Sequence, residues 1–578
     1  MSQDQSYGGN NLEERADFLT DAEIEQWTVA TPIFQDLVSK AQNRGARLFI
    51  GPRGCGKTHL FRHAHLGCNK KKIFSVYVTY GKYYHLEPLI STKANAIHIF
   101  HTWVLCKLIE GIKESIDLIL NLESDIQKRE FPENLDPWLT QERLQDISRF
   151  INYAEKGIVD NDESSELIIK ELSITKLQQI INKTAERFNC TRTVLFLDDA
   201  ALTLTPEYLV EFFEVFRNLK DRKISPKAAV YPGTTEYGSR FHLGQDAQPE
   251  DVWDVDFSSN NTVIDQLTEA ERLNNFTSGI QEDVLALLKI ASFGIPRAFI
   301  NLVRYYVEEN GNIQKRFNRA IDLHTDLLLK EYKSFQHKLP HYSSVIEVGE
   351  VQFNSIVMVL KKKNLELHSS DLKQLMIGIL QETTQNDVLL TRMIRFLVEA
   401  GLLFPKGNVK HGVNRTYDRF IPHLAFLFKE KAFSGLSRGF NTSNIINYLK
   451  RQDAKHPERT TLSKLIPSSD VERLHLDLPS CQNCGTARTL ESQKFCHQCG
   501  YELINESKYQ QCMKMSVEEL PLSQWRIGRI LQTSLKTVGD IMSHGNVASE
   551  LKKPYGMGRI RADDTYRTVK IYIEEFLS

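Results

Sequence analysis

The segment that most constrains this chain is GPRGCGKT, residues 51–58. It fits the spacing G-x-x-x-x-G-K-[ST] with Gly51, Pro52, Arg53, Gly54, Cys55, Gly56, Lys57 and Thr58 in order. Glycines let such a loop wrap closely enough for its backbone N–H groups to face phosphate oxygens. Lys57 is then expected to reach the β- and γ-phosphates, and the Thr58 hydroxyl to ligate Mg²⁺. A helix opening near Lys57 adds its positive end. The flanks agree with this reading. ARLFI before the loop reads as a buried strand, and KTHLFRHAHL after it as a helix. ATP and Mg²⁺ are therefore the expected ligands, and an α/β fold is the expected frame.

Three further segments complete a set. RTVLFLDDA, residues 192–200, is an apolar run that ends on Asp198 and Asp199. Read as a strand, it delivers Asp198 to hold the Mg²⁺ and Asp199 to polarise an attacking water. The other reading of this piece is a buried strand ending in a solvated acidic turn. KAAVYPGTTEYG, residues 227–238, predicts a third strand with Thr234 and Thr235 at its end. ASFGIPRAFINLV, residues 291–303, predicts a turn and then a helix with Arg297 near its start.

Together these motifs resemble the AAA+ ATPases, in particular the origin-recognition and initiator-like branch, over residues 20–335. The resemblance implies that Thr234 or Thr235 senses the γ-phosphate. It implies that Arg297, in Gly294-Ile295-Pro296-Arg297, is the lid arginine that touches the phosphates. It places Arg240, in EYGSRFHL, where an arginine finger would reach a neighbouring subunit, so a homo-oligomer is expected. The chain departs from that branch in carrying Asp198-Asp199 in place of Asp-Glu. With the shorter second carboxylate, slow turnover or use as an ATP-gated switch stands level with steady motor activity. Signalling ATPases of the superfamily also carry Asp-Asp here.

Between the motifs, residues 93–116 have helical apolar spacing, and residues 117–173 read as an acidic helical insertion with DNDESSE as an exposed loop. After the lid, a helix near 387–400 ends at Gly401. LLF, a loop with Gly407 and Gly412, and the strand-like RTYDRFI follow. Helix, strand, loop, strand is the winged-helix order. Its basic residues Lys406, Lys410, Arg415, Arg419, Lys429 and Lys431 suit phosphate contact, and packing on the ATPase core or a sister subunit is the other reading.

CQNCGTARTLESQKFCHQCGYEL carries Cys481, Cys484, Cys496 and Cys499 as two C-x-x-C pairs eleven residues apart. Four thiolates satisfy a tetrahedral, structural Zn²⁺, as in a short zinc ribbon; a pair of redox dithiols is the alternative. The remaining five of the nine cysteines are scattered, which does not form a disulfide framework and fits a reducing, cytoplasmic setting.

Near the C-terminus, TSLKTVGDIM and ELKKPYGMGRIRA resemble the helix-hairpin-helix fold of the RNA polymerase alpha subunit's C-terminal domain. The resemblance implies DNA backbone contact through Gly556 and Gly558, with Lys552, Lys553, Arg559 and Arg561 around them. Protein docking is the other use of such a fold.

The expected fold class is α/β: a P-loop AAA+ core with helical lid, then winged helix, zinc ribbon and a small all-α helix-hairpin-helix domain. The boundaries are core 1–240, lid 241–335, winged helix 345–435, linker 436–480, ribbon 481–503 and hairpin domain 515–578. With net charge -1, nucleic-acid contact must come from local basic patches. The polar N-terminus lacks the apolar core of a signal peptide, and no uninterrupted apolar run of membrane-spanning length is seen, so no membrane association is expected. The leading expectation is an ATP-dependent, DNA-associated ATPase acting as a nucleotide-gated switch or DNA-remodelling assembly. The rivals are a signalling ATPase that partners an effector protein, for example in anti-phage defence, and a DNA-binding regulator that binds ATP without appreciable hydrolysis.

Overall fold

The computed structural model describes residues 16–69, 71–81, 86, 96–122, 135–156, 163–199, 206–232, 237–238, 240–255, 264–265, 267, 273, 276–339, 342–367, 373–383, 388–412, 415–433, 457–471, 473–474, 481, 483–486, 495–503, 512–543 and 547–577. Thr234 and Thr235 lie outside the described residues.

The first half builds a five-stranded sheet from β1 (Arg47–Ile50), β2 (Phe74–Thr79), β3 (Thr193–Asp198), β4 (Ile224–Val230) and β5 (Gln248–Asp251). The spatial order is β2-β3-β4-β1-β5, and every pairing is parallel. Parallel strands read as continuous apolar runs because both faces are covered. Successive residues do split between two layers. Phe49, Phe196 and Ala229 pack with Leu37, Phe61 and Ala64 on one face. Leu48, Leu195, Leu197 and Ala228 pack on the other with the helices Ala96–Leu122, Ile174–Arg187 and Pro206–Leu219. The sheet reaches past residue 240, because β5 pairs with β1 from Arg47↔Gln248 to Ile50↔Asp251.

The segment read as a solvated insertion is instead part of this second layer. Trp138, Leu139, Ile147, Phe150, Ile151 and Ile168 are buried there. Their helices, Gln141–Ala154 and Glu163–Glu171, are amphipathic, so acidic composition describes only their outer faces.

The helices Glu282–Ala291, Pro296–Glu308 and Ile313–Lys338, where the lid was expected, share one hydrophobic core with the next unit. That unit holds the helices Ser343–Glu366 and Val388–Glu399 and a second sheet of β6 (Ile377–Leu380), β7 (Leu403–Lys410), β8 (Thr416–Pro422) and β9 (Glu458–Thr460), ordered β7-β8-β6-β9. The β7–β8 hairpin stands where the wing was expected, but Gly407 lies inside β7 at a register shift between Pro405 and Asn408, not in a loop. Part of the expected linker belongs to this core: β9 pairs with β6, and Leu462 and Leu465 are buried in it. Ser343–Glu366 is the one described helix long and apolar enough to cross a membrane; it packs in this shared core through Phe353, Ile356 and Leu360.

The C-terminal unit has its own core of Met515, Val517, Ile530, Leu535, Val538, Ile541, Leu551, Ala562 and Val569. Its last helix, Arg559–Leu577, also lies against the helix Ile313–Lys338.

Candidate nucleotide site and flanking metal and hairpin sites

Parallel strands bring all their carboxyl ends to one edge, and ligands bind in the crevice outside that edge where strand order switches. Here β1 leads into Gly51, β4 into Tyr231 and β3 into Asp199, so three loops meet at the crevice. The loop after β1 turns on Gly54 (φ +82°) and Gly56 (φ +99°), both in the left-handed region that glycine tolerates. It is tightly folded: a Cβ on Gly51 would meet Cys55 Sγ at 2.5 Å. A Cβ on Gly56 would meet nothing within 4 Å, so this position faces open space. Cys55 is buried, and burial pushes its thiol pKa up.

Lys57 starts the helix Lys57–Asn69 and is only 8% exposed. Its Nζ donates to the carbonyls of Gly51 at 2.6 Å and Pro52 at 3.1 Å, and it lies 4.2 Å from the centre of the Tyr231 ring. The ammonium is thus held over the loop, and Arg53 adds a second positive charge near Tyr231.

The Thr58 hydroxyl stands beside the Asp198 carboxyl and favours its charged form. Asp198 is buried, and it accepts from Tyr77 Oη at 2.8 Å and from Asp199 N at 3.0 Å. Burial first, and then the Asp199 charge, push the Asp198 carboxyl up to about 7. Asp199 is half-buried and left-handed at φ +50°. That backbone turns its carboxylate off the strand line, toward Gly81 at the end of β2, where a Cβ would stand 3.6 Å from Oδ2. A hydroxyl and a carboxylate meeting beside a loop of N–H groups form a hard oxygen donor set, which fits Mg²⁺ held with phosphate oxygens.

Arg297 borders the crevice from the helical unit that follows the sheet. It is the second residue of the helix Pro296–Glu308. Its N–H donates to Gly54 O at 3.4 Å, and a Cβ on Gly54 would meet Arg297 Cβ at 2.8 Å. Arg297 Nε is buried with no hydrogen-bond partner, so a cationic donor is left unsatisfied beside the loop. The turn ahead of it leaves no room for a side chain: Gly294 is left-handed at φ +74°, and a Cβ there would clash with Asp254 O. Arg240 is exposed on the turn ahead of Phe241. Its carbonyl accepts from Arg217 Nη1 at 3.2 Å, in the last turn of the helix Pro206–Leu219, which runs back toward the opposite edge of the sheet.

Sequence reasoning missed three participants. Tyr77 lies in β2 two residues before Thr79, which pairs with Asp198, and nothing in FSVYVT marks it. Tyr231 follows Val230, which pairs with Ile50; its position past the end of β4, level with Gly51, was a usable signal. The third is the root of the β7–β8 hairpin. A Cβ on Gly401 would stand 3.7 Å from both Pro52 Cβ and Ile295 Cδ1. Phe404 packs edge-on against Trp253 at 4.8 Å, and Trp253 Nε1 donates to Phe293 O at 3.0 Å. One aromatic joint therefore links the phosphate loop, the Arg297 turn and the hairpin.

The four cysteines gather 481–486 and 495–502 into two matching knuckles. Gly485 N donates to Cys481 O and Gly500 N to Cys496 O, both at 2.8 Å, and both glycines are left-handed at φ +73° and +71°. The four sulfurs lie within 4.8 Å of one another, with Cys481–Cys499 and Cys484–Cys496 at 3.5 Å. A tetrahedron with metal–sulfur distances of about 2.3 Å has sulfurs about 3.8 Å apart, so this donor set fits zinc. Hydrogen bonds from the Thr486 hydroxyl and backbone bring the Cys484 thiol down to about 6, toward the thiolate a metal needs.

In the C-terminal unit, Gly556 is left-handed at φ +88° and Met557 is buried. Ala562 N donates to Gly558 O, so Gly558 caps the helix Arg559–Leu577. Arg561 Nη1 donates to Gly556 O at 3.0 Å, Lys553 pairs with Glu550, and Arg559 lies 3.8 Å from Asp563. Lys552 is exposed.

Comparison with protein-family models and with curated proteins finds no match. Among solved structures, the chain is similar to a Walker-type ATPase of Pyrococcus abyssi, at 12% identity over 69% of this chain and 94% of that one, with a TM-score of 0.34. It is also similar to the Orc1 protein of Aeropyrum pernix, solved in complex with DNA, at 12% identity over 70% of this chain and 93% of that one, with a TM-score of 0.27. Both TM-scores are too low for the likeness to carry an argument about function. The description that rests on the geometry itself is a parallel α/β core with a phosphate-type loop and a separate four-cysteine cluster.

Proposed function

We propose that this protein is an AAA+-type ATPase that works as a nucleotide-gated, DNA-associated switch. The observation that carries the proposal is the meeting of Thr58 with Asp198, beside Lys57 and under the unsatisfied Arg297 Nε. ATP bound on Gly51–Thr58 would place its β- and γ-phosphates by Lys57 and Arg297, and Mg²⁺ on Thr58 and Asp198. The metal's chemistry is to neutralise charge on the phosphates. Asp199 orients the attacking water and accepts its proton; Arg297 ties the lid to the nucleotide. Thr234 or Thr235 contributes the γ-phosphate contact, and Arg240 serves a neighbouring subunit in a homo-oligomer. The zinc ribbon and the hairpin around Gly556 and Gly558 hold DNA while the lid responds to ATP.

The test is ATP binding and turnover, with and without duplex DNA, for the parent and two variants. Lys57→Ala should lose ATP binding. Asp199→Asn should bind ATP and stop turning it over. DNA should stimulate the parent. Asp199→Asn turning over at the parent rate removes Asp199 from its role. A parent that binds ATP and never hydrolyses it makes the protein a nucleotide-binding regulator.

A further inference from the structure

The two most exposed large apolar side chains among the described residues sit together. Tyr555 is 89% exposed and Ile560 is 84% exposed, one on each side of the hairpin 556–558. Trp525, 43% exposed, extends the patch, because a Cβ on Gly556 would stand 3.2 Å from its ring. Burying such side chains is favourable, and this fold leaves them out. Cations surround them. The Arg529 and Arg561 guanidiniums lie 5.4 and 5.2 Å from the Trp525 ring centre. Lys552, Lys553 and Arg559 are exposed beside the hairpin, Lys553 paired with Glu550 and Arg559 3.8 Å from Asp563, pairs on exposed cations that a phosphate can displace.

A ring of positive charge selects a polyanion. An apolar and aromatic centre selects flat, desolvated faces. Intact duplex DNA offers the first and hides the second inside its base stack; unstacked DNA offers both. We propose that this hairpin is a wedge for DNA with unstacked bases. Tyr555 and Ile560 enter at an opened step, and Lys552, Lys553, Arg559 and Arg561 hold the flanking phosphates. The inference rests on the DNA association proposed above and names the form of DNA that the site takes. A phosphate-only contact would have no use for Tyr555 and Ile560.

The test is fluorescence anisotropy of the full-length protein at low salt. The probes are three labelled DNAs of equal length: an intact duplex, a duplex with a short mismatched bubble, and a single strand. The parent should bind the bubble about tenfold tighter than the intact duplex, the scale of a stacked base on an aromatic side chain. Tyr555→Ser with Ile560→Ser should lose that preference and keep the affinity for intact duplex and its salt slope. Both positions are exposed, so the fold should survive, which unchanged ATP binding and zinc content would verify. Equal affinity of the parent for bubble and duplex overturns the wedge alone, as does a preference retained by the double variant. If the parent binds none of the three DNAs, the DNA association itself falls, and the patch is a protein-docking surface.

Discussion

Replacing Asp198 with asparagine should make the parallel-sheet core more stable while removing the Mg²⁺-dependent nucleotide binding proposed for it. The Asp198 carboxyl is buried beside Asp199 and titrates at about 7, well above its ordinary 3.8. Holding it charged therefore costs the folded state about 4 kcal/mol. The sign follows from proton binding. Between pH 3.8 and about 7 the folded protein holds a proton that the unfolded chain has released. The group's stabilising contribution is complete below the lower value and is lost as pH rises through the upper one. Asparagine is neutral at every pH, so it relieves the cost above about pH 7. It also loses one acceptor for Tyr77 Oη, Asp199 N or the Thr58 hydroxyl, worth about 1–2 kcal/mol. The net gain is about 2–3 kcal/mol, or roughly 5–10 °C in the melting of a core of this size. Differential scanning fluorimetry of parent and Asp198→Asn without nucleotide, at pH 8 and pH 5, measures it. The variant should melt higher at pH 8, and its advantage should vanish or reverse at pH 5. Adding ATP with Mg²⁺ should raise the parent's melting temperature and leave the variant's unchanged, since only a bound ligand stabilises by mass action. A variant that melts below the parent at pH 8 would refute the placement of a costly buried charge at the end of β3.

Two further outcomes follow from the accessory sites. Purified without chelator, the chain should carry about one zinc, and Cys481→Ser should release it while ATP binding persists; elemental analysis finding none would remove the site. Gly558→Val should weaken binding to all duplex sequences evenly, because Gly558 faces open space and its new side chain would stand at the cap of the helix Arg559–Leu577. Gly556→Val is a poorer probe, since a left-handed backbone and the nearby Trp525 ring would strain the fold itself.

The sequence alone determined the phosphate loop, the strand that ends on Asp198 and Asp199, and the four-cysteine spacing. Each is a local pattern: a loop needs glycines at set offsets, a buried parallel strand needs an apolar run, and a metal knuckle needs two cysteines on one turn. The sequence also led to Arg297, though only through a resemblance in the surrounding turn. What it did not disclose depends on contacts far apart in the chain. Tyr77 reaches Asp198 because β2 and β3 pair in one register, 121 residues apart. The helices around 135–171 read as acidic and solvated because composition averages over both faces, while packing uses only the inner one. The expected linker joined a core because β9 found an open edge on β6, a pairing that no local signal marks. Gly401 meets Pro52 for the same reason: the helices around Arg297 and the second sheet share one core, which brings the root of the β7–β8 hairpin against the loop 51–58. Local chemistry is written residue by residue, whereas the partners of a buried charge or a strand edge are set by which surfaces the whole chain must cover.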